Sequence, residues 1–178
     1  MNYIFYIFNI AGFKVCWWAC VWGATSNQKY LGPFLVLLYL IVHIYSISYK
    51  SRNAEIYLLC IAGILGTVVD SLFLNLDFLS YKGLYANIDY IAPLWITAMW
   101  VGFTATLNHA FKKIINKYSI QAILGMIFGP IAYITGKSLG AIEFNSLYSQ
   151  NNILIIISIA WGMSFPFLCW MSNKIRKQ

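Results

Sequence analysis

The chain has 178 residues, of which 61% are hydrophobic and only 10% charged. A soluble domain carries about 25% charged residues, so this composition argues against a water-facing globular fold. The formal charge of +7 does not mark a nucleic-acid footprint, because the lysines and arginines sit in short gaps between apolar runs.

A bilayer core of about 30 Å needs about 20 helical residues, and six segments reach that length. They run roughly from Tyr3 to Ala24, Leu31 to Tyr49, Ala54 to Leu76, Ile88 to Leu107, Ser119 to Leu139 and Asn152 to Met171. The first follows no charged leader and is read as a retained span. Continuous apolar runs, rather than short alternating ones, exclude a β-barrel. The fold class is therefore all-α: a polytopic bundle of about six transmembrane helices, forming one domain over residues 1–178 with short polar connections. Cys16, Cys20, Cys60 and Cys169 all lie within apolar runs, without metal-type spacing, and read as small hydrophobes.

Basic residues set the orientation. One set of span ends carries Lys50, Arg52, Lys112, Lys113, Lys117, Lys174, Arg176 and Lys177; the other carries only Lys29, Lys82 and Lys137. Positive charge is retained in the cytoplasm, which predicts both termini inside a bacterial inner membrane. Tyr30, Tyr81, Tyr85, Tyr90, Tyr118 and Trp170 lie near span ends and suit interfacial belts.

Within lipid, helices associate through close packing of small residues. The fifth span presents Gly125, Gly129, Ala132, Gly136 and Gly140 at intervals of three and four. This predicts a groove for a neighbouring helix, from this chain or a membrane partner. Pro130 should free a carbonyl there and bend the helix.

Charges inside the hydrocarbon are costly and usually functional or paired. Asp70 is the strongest candidate, about 24 Å from the cytoplasmic start of its span. Lys14 lies about 16 Å into the first span, so an ion pair between Lys14 and Asp70 is conceivable, as is an aspartate satisfied by Thr67 and Ser71. His43, near the middle of the second span, could relay protons. Asp70 and His43 are the candidate catalytic groups. Trp17, Trp18, Trp95 and Tyr133 are expected at a depth similar to Asp70; Trp17, Trp95, Trp100 and Tyr133 are candidate ligand contacts, as are Asn108 and His109, which make the cytoplasmic end of the fourth span polar. No metal site and no cofactor are expected. No phosphate loop, H-E-x-x-H or G-x-S-x-G is present.

Several blocks together resemble a bacterial membrane family known only as domain of unknown function 2878. They are Trp18-Ala19-Cys20-Val21, Gly32-Pro33 with His43, and Leu65-Gly66-Thr67-Val68-Val69-Asp70-Ser71. Ala92-Pro93-Leu94-Trp95, Trp100, Thr106-Leu107-Asn108-His109, Gly129-Pro130-Ile131-Ala132-Tyr133 and Leu139-Gly140-Ala141 follow in order. Lys14 departs from the neutral polar residue that the resemblance implies at its position. The resemblance implies a membrane bundle, supplies no catalytic assignment, and associates the chain with neighbouring lipid-modification genes such as cyclopropane fatty-acid synthase.

Three functions fit these features. The first is binding or modification of a membrane lipid or other amphiphile in a pocket around Asp70. The second is a small transporter with Asp70 and His43 as a proton-coupled pair. The third is a non-catalytic accessory or assembly subunit that meets its partner along the glycine stripe.

Overall fold

The computed structural model describes residues 3–176; Lys177, one of the basic residues counted above, lies outside them. Six α-helices run in chain order: α1 Tyr3–Thr25, α2 Leu31–Ser46, α3 Tyr49–Asn75, α4 Leu94–Thr104, α5 Tyr118–Ser138 and α6 Gln150–Ile175. Two short strands, β1 Leu79–Tyr81 and β2 Ile142–Phe144, pair antiparallel, with Leu79 opposite Phe144 and Tyr81 opposite Ile142.

The helices α1, α3, α5 and α6 are long and apolar enough to cross a bilayer. Their outward faces are bare of polar cover. Ile64, Val68 and Leu72 on α3, Ile123, Ile127 and Ile131 on α5, and Ile155, Ile159 and Met163 on α6 are all exposed. Each set recurs every third or fourth residue and so forms one stripe. Water would not tolerate three such stripes, whereas acyl chains do.

The helices α2 and α4 are shorter than the sequence predicts, at 16 and 11 residues. At 1.5 Å per residue they span about 24 and 16 Å. The expected span from Ile88 to Leu107 shrinks at both ends. Pro93 is extended and holds the residues before it out of the helix (φ −67°, ψ 154°). After Thr104 the chain tightens, the N–H groups of Thr106 and Leu107 donating to the carbonyls of Phe103 and Thr104. Irregular backbone survives at membrane depth only when buried in protein. Here Ala92, Ala105 and Leu107, which flank α4, are fully buried.

Glycines bring the helices together. Gly32 of α2 lies so close to the Cys20 backbone of α1 that a Cβ would overlap it. Gly125 and Gly129 of α5 seat the backbone and ring of Trp161 on α6, and Gly136 faces Ile142 of β2. The predicted stripe is thus covered by this chain's own α6 and β2. Gly140 leaves the stripe, exposed at φ +77° in the turn to β2. Pro130 withholds the N–H that would bond Met126, four residues back, and the Ser158 hydroxyl of α6 donates to that Met126 carbonyl at 3.0 Å. On the other side of the bundle, Thr67 of α3 and Thr97 of α4 share a hydrogen bond of 2.6 Å.

Phe5 of α1 touches His109, and Arg176 reaches Glu55 near the start of α3, so both described termini lie at one end of the bundle. The β1–β2 pair closes the opposite end, hereafter the sheet end.

Candidate functional site

Two buried polar clusters and one cavity stand out. The first cluster is built on Asp70, five residues before α3 ends, and it is fully buried. The chain turns back after α3, with Asp77 at φ +56°, and β1 then carries Tyr81 over the aspartate. The Tyr81 and Tyr133 hydroxyls both donate to Asp70 Oδ1 at 2.7 Å, and Trp100 Nε1 donates to Oδ2 at 2.8 Å. Hydrogen bonds to a charged group contribute about 1.5–3 kcal/mol each, and each of these three crosses to a different element. Gly66, one turn before Asp70, makes room for the Trp100 indole, which a Cβ there would strike. Burial, and then the adjacent Asp70, push the Tyr81 phenol well above its usual value, so it stays a donor.

Lys14 takes no part in this cluster. It is exposed on α1, and the Asp70 oxygens are occupied by three neutral donors, so the conceivable Lys14–Asp70 pair is absent. Thr67 and Ser71 are also engaged elsewhere, by Gly63 and Thr97 and by the Ala92 N–H. Trp95 is fully buried and donates to the Lys82 carbonyl at 2.8 Å, which fixes the loop after β1.

Beside the Asp70 cluster lies a cavity of about 380 Å³ between α1, α4, α5 and α6. Trp100 and Tyr133 form part of its wall and hide Asp70 behind them. Trp17, Phe103, Phe128, Trp161 and Phe165 add further aromatic wall, and no charged residue lines it. The Trp100 and Trp161 rings stack at 4.3 Å. Leu124 and Tyr133, both in the lining, lie about 14 Å apart along α5, so the cavity is elongated along the bundle. Gly125 and Gly129 carry no side chain to fill it. Its lining also includes the half-buried Phe13 and Trp17 on α1 and the exposed Phe128 on α5. The buried indole N–H of Trp161 faces the Tyr133 hydroxyl but makes no well-formed hydrogen bond.

The second cluster lies at the end holding both termini, around Glu55. His43 sits in the last turn of α2, because that helix stops at Ser46 rather than continuing to Tyr49. Glu55 Oε1 lies 3.2 Å from His43 Nε2, while Oε2 accepts from Arg176 at 2.8 Å and Asn108 at 3.1 Å. Asn108 is held in turn by the Ser172 hydroxyl at 2.8 Å. His109 packs edge-on to His43, ring centroids 5.1 Å apart. Burial pushes the His109 imidazole down, to about 4, so it is neutral.

Of the residues singled out by sequence, Trp17, Trp100 and Tyr133 come together at the cavity, with Asp70 behind them. His43, Asn108 and His109 come together at the other end, about 22 Å along α3 from Asp70, so Asp70 and His43 share no contact. Sequence reasoning missed Glu55, Arg176, Tyr81 and Trp161. Glu55 falls one residue inside the expected third span and drew no assignment there, yet it is fully buried. Tyr81, read as an interfacial residue, is 5% exposed and bound to Asp70.

A family model described as protein of unknown function (DUF2878) matches residues 6–167. No curated protein and no solved structure matches the chain.

Proposed function

Since the chain belongs to this family of unknown function, we propose that it is an inner-membrane protein that binds a lipid or similar amphiphile by its apolar tail. The observation that carries this reading is the elongated cavity of about 380 Å³, walled by aromatic side chains and including the exposed Phe128 in its lining. Binding pockets for small molecules run to about 300–1,000 Å³, mostly apolar with a few placed polar groups. Asp70 acts as a positioning residue: it holds Trp100 and Tyr133 in the wall and has no free oxygen to offer a substrate. Both termini lie in the cytoplasm, in keeping with Arg52, Lys112, Lys113 and Lys174 near the terminal end and only Lys29, Lys82 and Lys137 near the other.

Ala132 lines the cavity and is half-buried, so Ala132→Trp fills the space without touching Asp70. The test is mass spectrometry of lipid co-purifying with the protein in mild detergent. Wild type is expected to retain a tightly held lipid that Ala132→Trp loses. Equal lipid content in the two, with both folded, would refute the proposal.

A further inference from the structure

The cluster around Glu55 contains more donor atoms than its hydrogen bonds use. His43 Nδ1 and both ring nitrogens of His109 are buried without partners. His43 is fully buried and His109 is 9% exposed. A neutral imidazole offers one donor and one acceptor, and leaving such atoms unmet in a core costs about 1–3 kcal/mol apiece. An ion-pair network that merely closes the bundle would need His43, Glu55 and Arg176; it leaves His109 unexplained.

One ligand atom from each of His43, Glu55 and His109 fits within 4.8 Å of the others. The three residues come from separate elements: the last turn of α2, the second turn of α3 and the tight turns after α4. From these observations we infer that His43, Glu55 and His109 form a binding site for one divalent transition-metal ion at the terminal end of the bundle.

The surroundings match what metal sites require. Carboxylate ligands are oriented by partners in an outer shell. Here Asn108 and Arg176 hold Oε2 of Glu55, leaving Oε1 turned toward His43, and Ser172 holds Asn108. Phe5 walls both imidazoles, 5.9 Å from His43 and 4.9 Å from His109, centroid to centroid. The donor set is two nitrogens and one oxygen, and Arg176 offsets the charge of Glu55. Such a site attracts a cation through imidazole lone pairs more than through net charge. It therefore selects zinc-, iron- or cobalt-like ions over magnesium or calcium. Three protein ligands leave a coordination position for water or another small ligand.

The test uses the full chain in detergent, carried on a tag without histidines, stripped with chelator and titrated with Co²⁺ and Zn²⁺. One Co²⁺ per chain is expected, with a visible ligand-field absorption that Zn²⁺ abolishes and Mg²⁺ does not. His109→Phe keeps the ring packing and Glu55→Gln keeps the shape; each should lose the band. Asn108→Ala leaves all three ligands in place and should weaken affinity about 10–100-fold. If wild type shows no band and no retained Zn²⁺, or if His109→Phe and Glu55→Gln bind as wild type does, the site is structural only and the inference fails. The wild-type titration decides this even if a variant does not fold.

Discussion

Replacing Gly66 by alanine adds a single methyl, and the structure gives it nowhere to go. Its Cβ would lie on the Trp100 indole, which is 2% exposed, bonded through Nε1 to Asp70 and stacked on Trp161. The indole has one escape, into the cavity, and taking it breaks the bond to Asp70. Overpacking of this kind costs roughly 1–3 kcal/mol, and the lost bond to a buried carboxylate about 1.5–3 kcal/mol. Together Gly66→Ala should destabilise the protein by roughly 2.5–6 kcal/mol, a large share of typical stability. Gly63→Ala, one turn earlier on the same helix, is the control. There the added Cβ would sit 3.2 Å from a methyl of Val101, tight but movable. The gain in helix propensity, up to about 1 kcal/mol, should roughly offset that contact. Unfolding in mixed micelles of mild detergent and dodecyl sulfate measures both. Trp100→Ala removes the clash and the bond together, so the double variant with Gly66→Ala should be markedly less than additive. Equal stabilities for Gly63→Ala and Gly66→Ala, or full additivity of the double variant, would refute this account of the Asp70 cluster.

Ser158→Ala should cost about 0.5–1.5 kcal/mol, the range for a bond between membrane helices, because it strands the Met126 carbonyl. In a Pro130→Ala background, where α5 can satisfy that carbonyl itself, the same substitution should cost almost nothing; an unchanged cost would show that the proline is irrelevant. Lys14→Met should change stability by no more than about 0.5 kcal/mol, as for other exposed positions, whereas loss of a buried pair with Asp70 would cost about 3–5 kcal/mol. Reporter domains fused to either terminus should both be active on the cytoplasmic side, and activity on opposite sides would overturn the proposed orientation.

The long apolar runs, the small-residue groove on α5 and the isolation of Asp70 are all legible in one dimension, because each depends on local spacing against a fixed solvent thickness. What Asp70 does is not legible. Its partners come from β1, α4 and α5, and Tyr133 is 63 positions away. Glu55 shows the same limit more sharply, since its guanidinium partner is 121 positions distant. Beside a run of basic residues, a carboxylate looks solvated until the end of the chain is seen to return over it. The shortness of α4 could have been suspected from Pro93, which stands inside the span drawn from Ile88. Hydropathy averages over such a break, because the residues that flank it are as apolar as the helix.

The pairing of β1 with β2 has a consequence for how a guest reaches its berth. At that end, the hydrogen bonds between Lys82 and Ala141 and between Phe78 and Asn145 lock the loop after α3 to the loop after α5. At the other end, Arg176 is latched to Glu55 and Asn173 to Asn116. Both ends of the bundle are thus fastened by polar contacts, while among the described residues the side chains of Phe13, Trp17 and Phe128 make no such bond. On the proposed function, a guest would arrive sideways, gliding in from a leaflet, and its exchange would follow the composition of the surrounding membrane rather than any concentration in the cytosol.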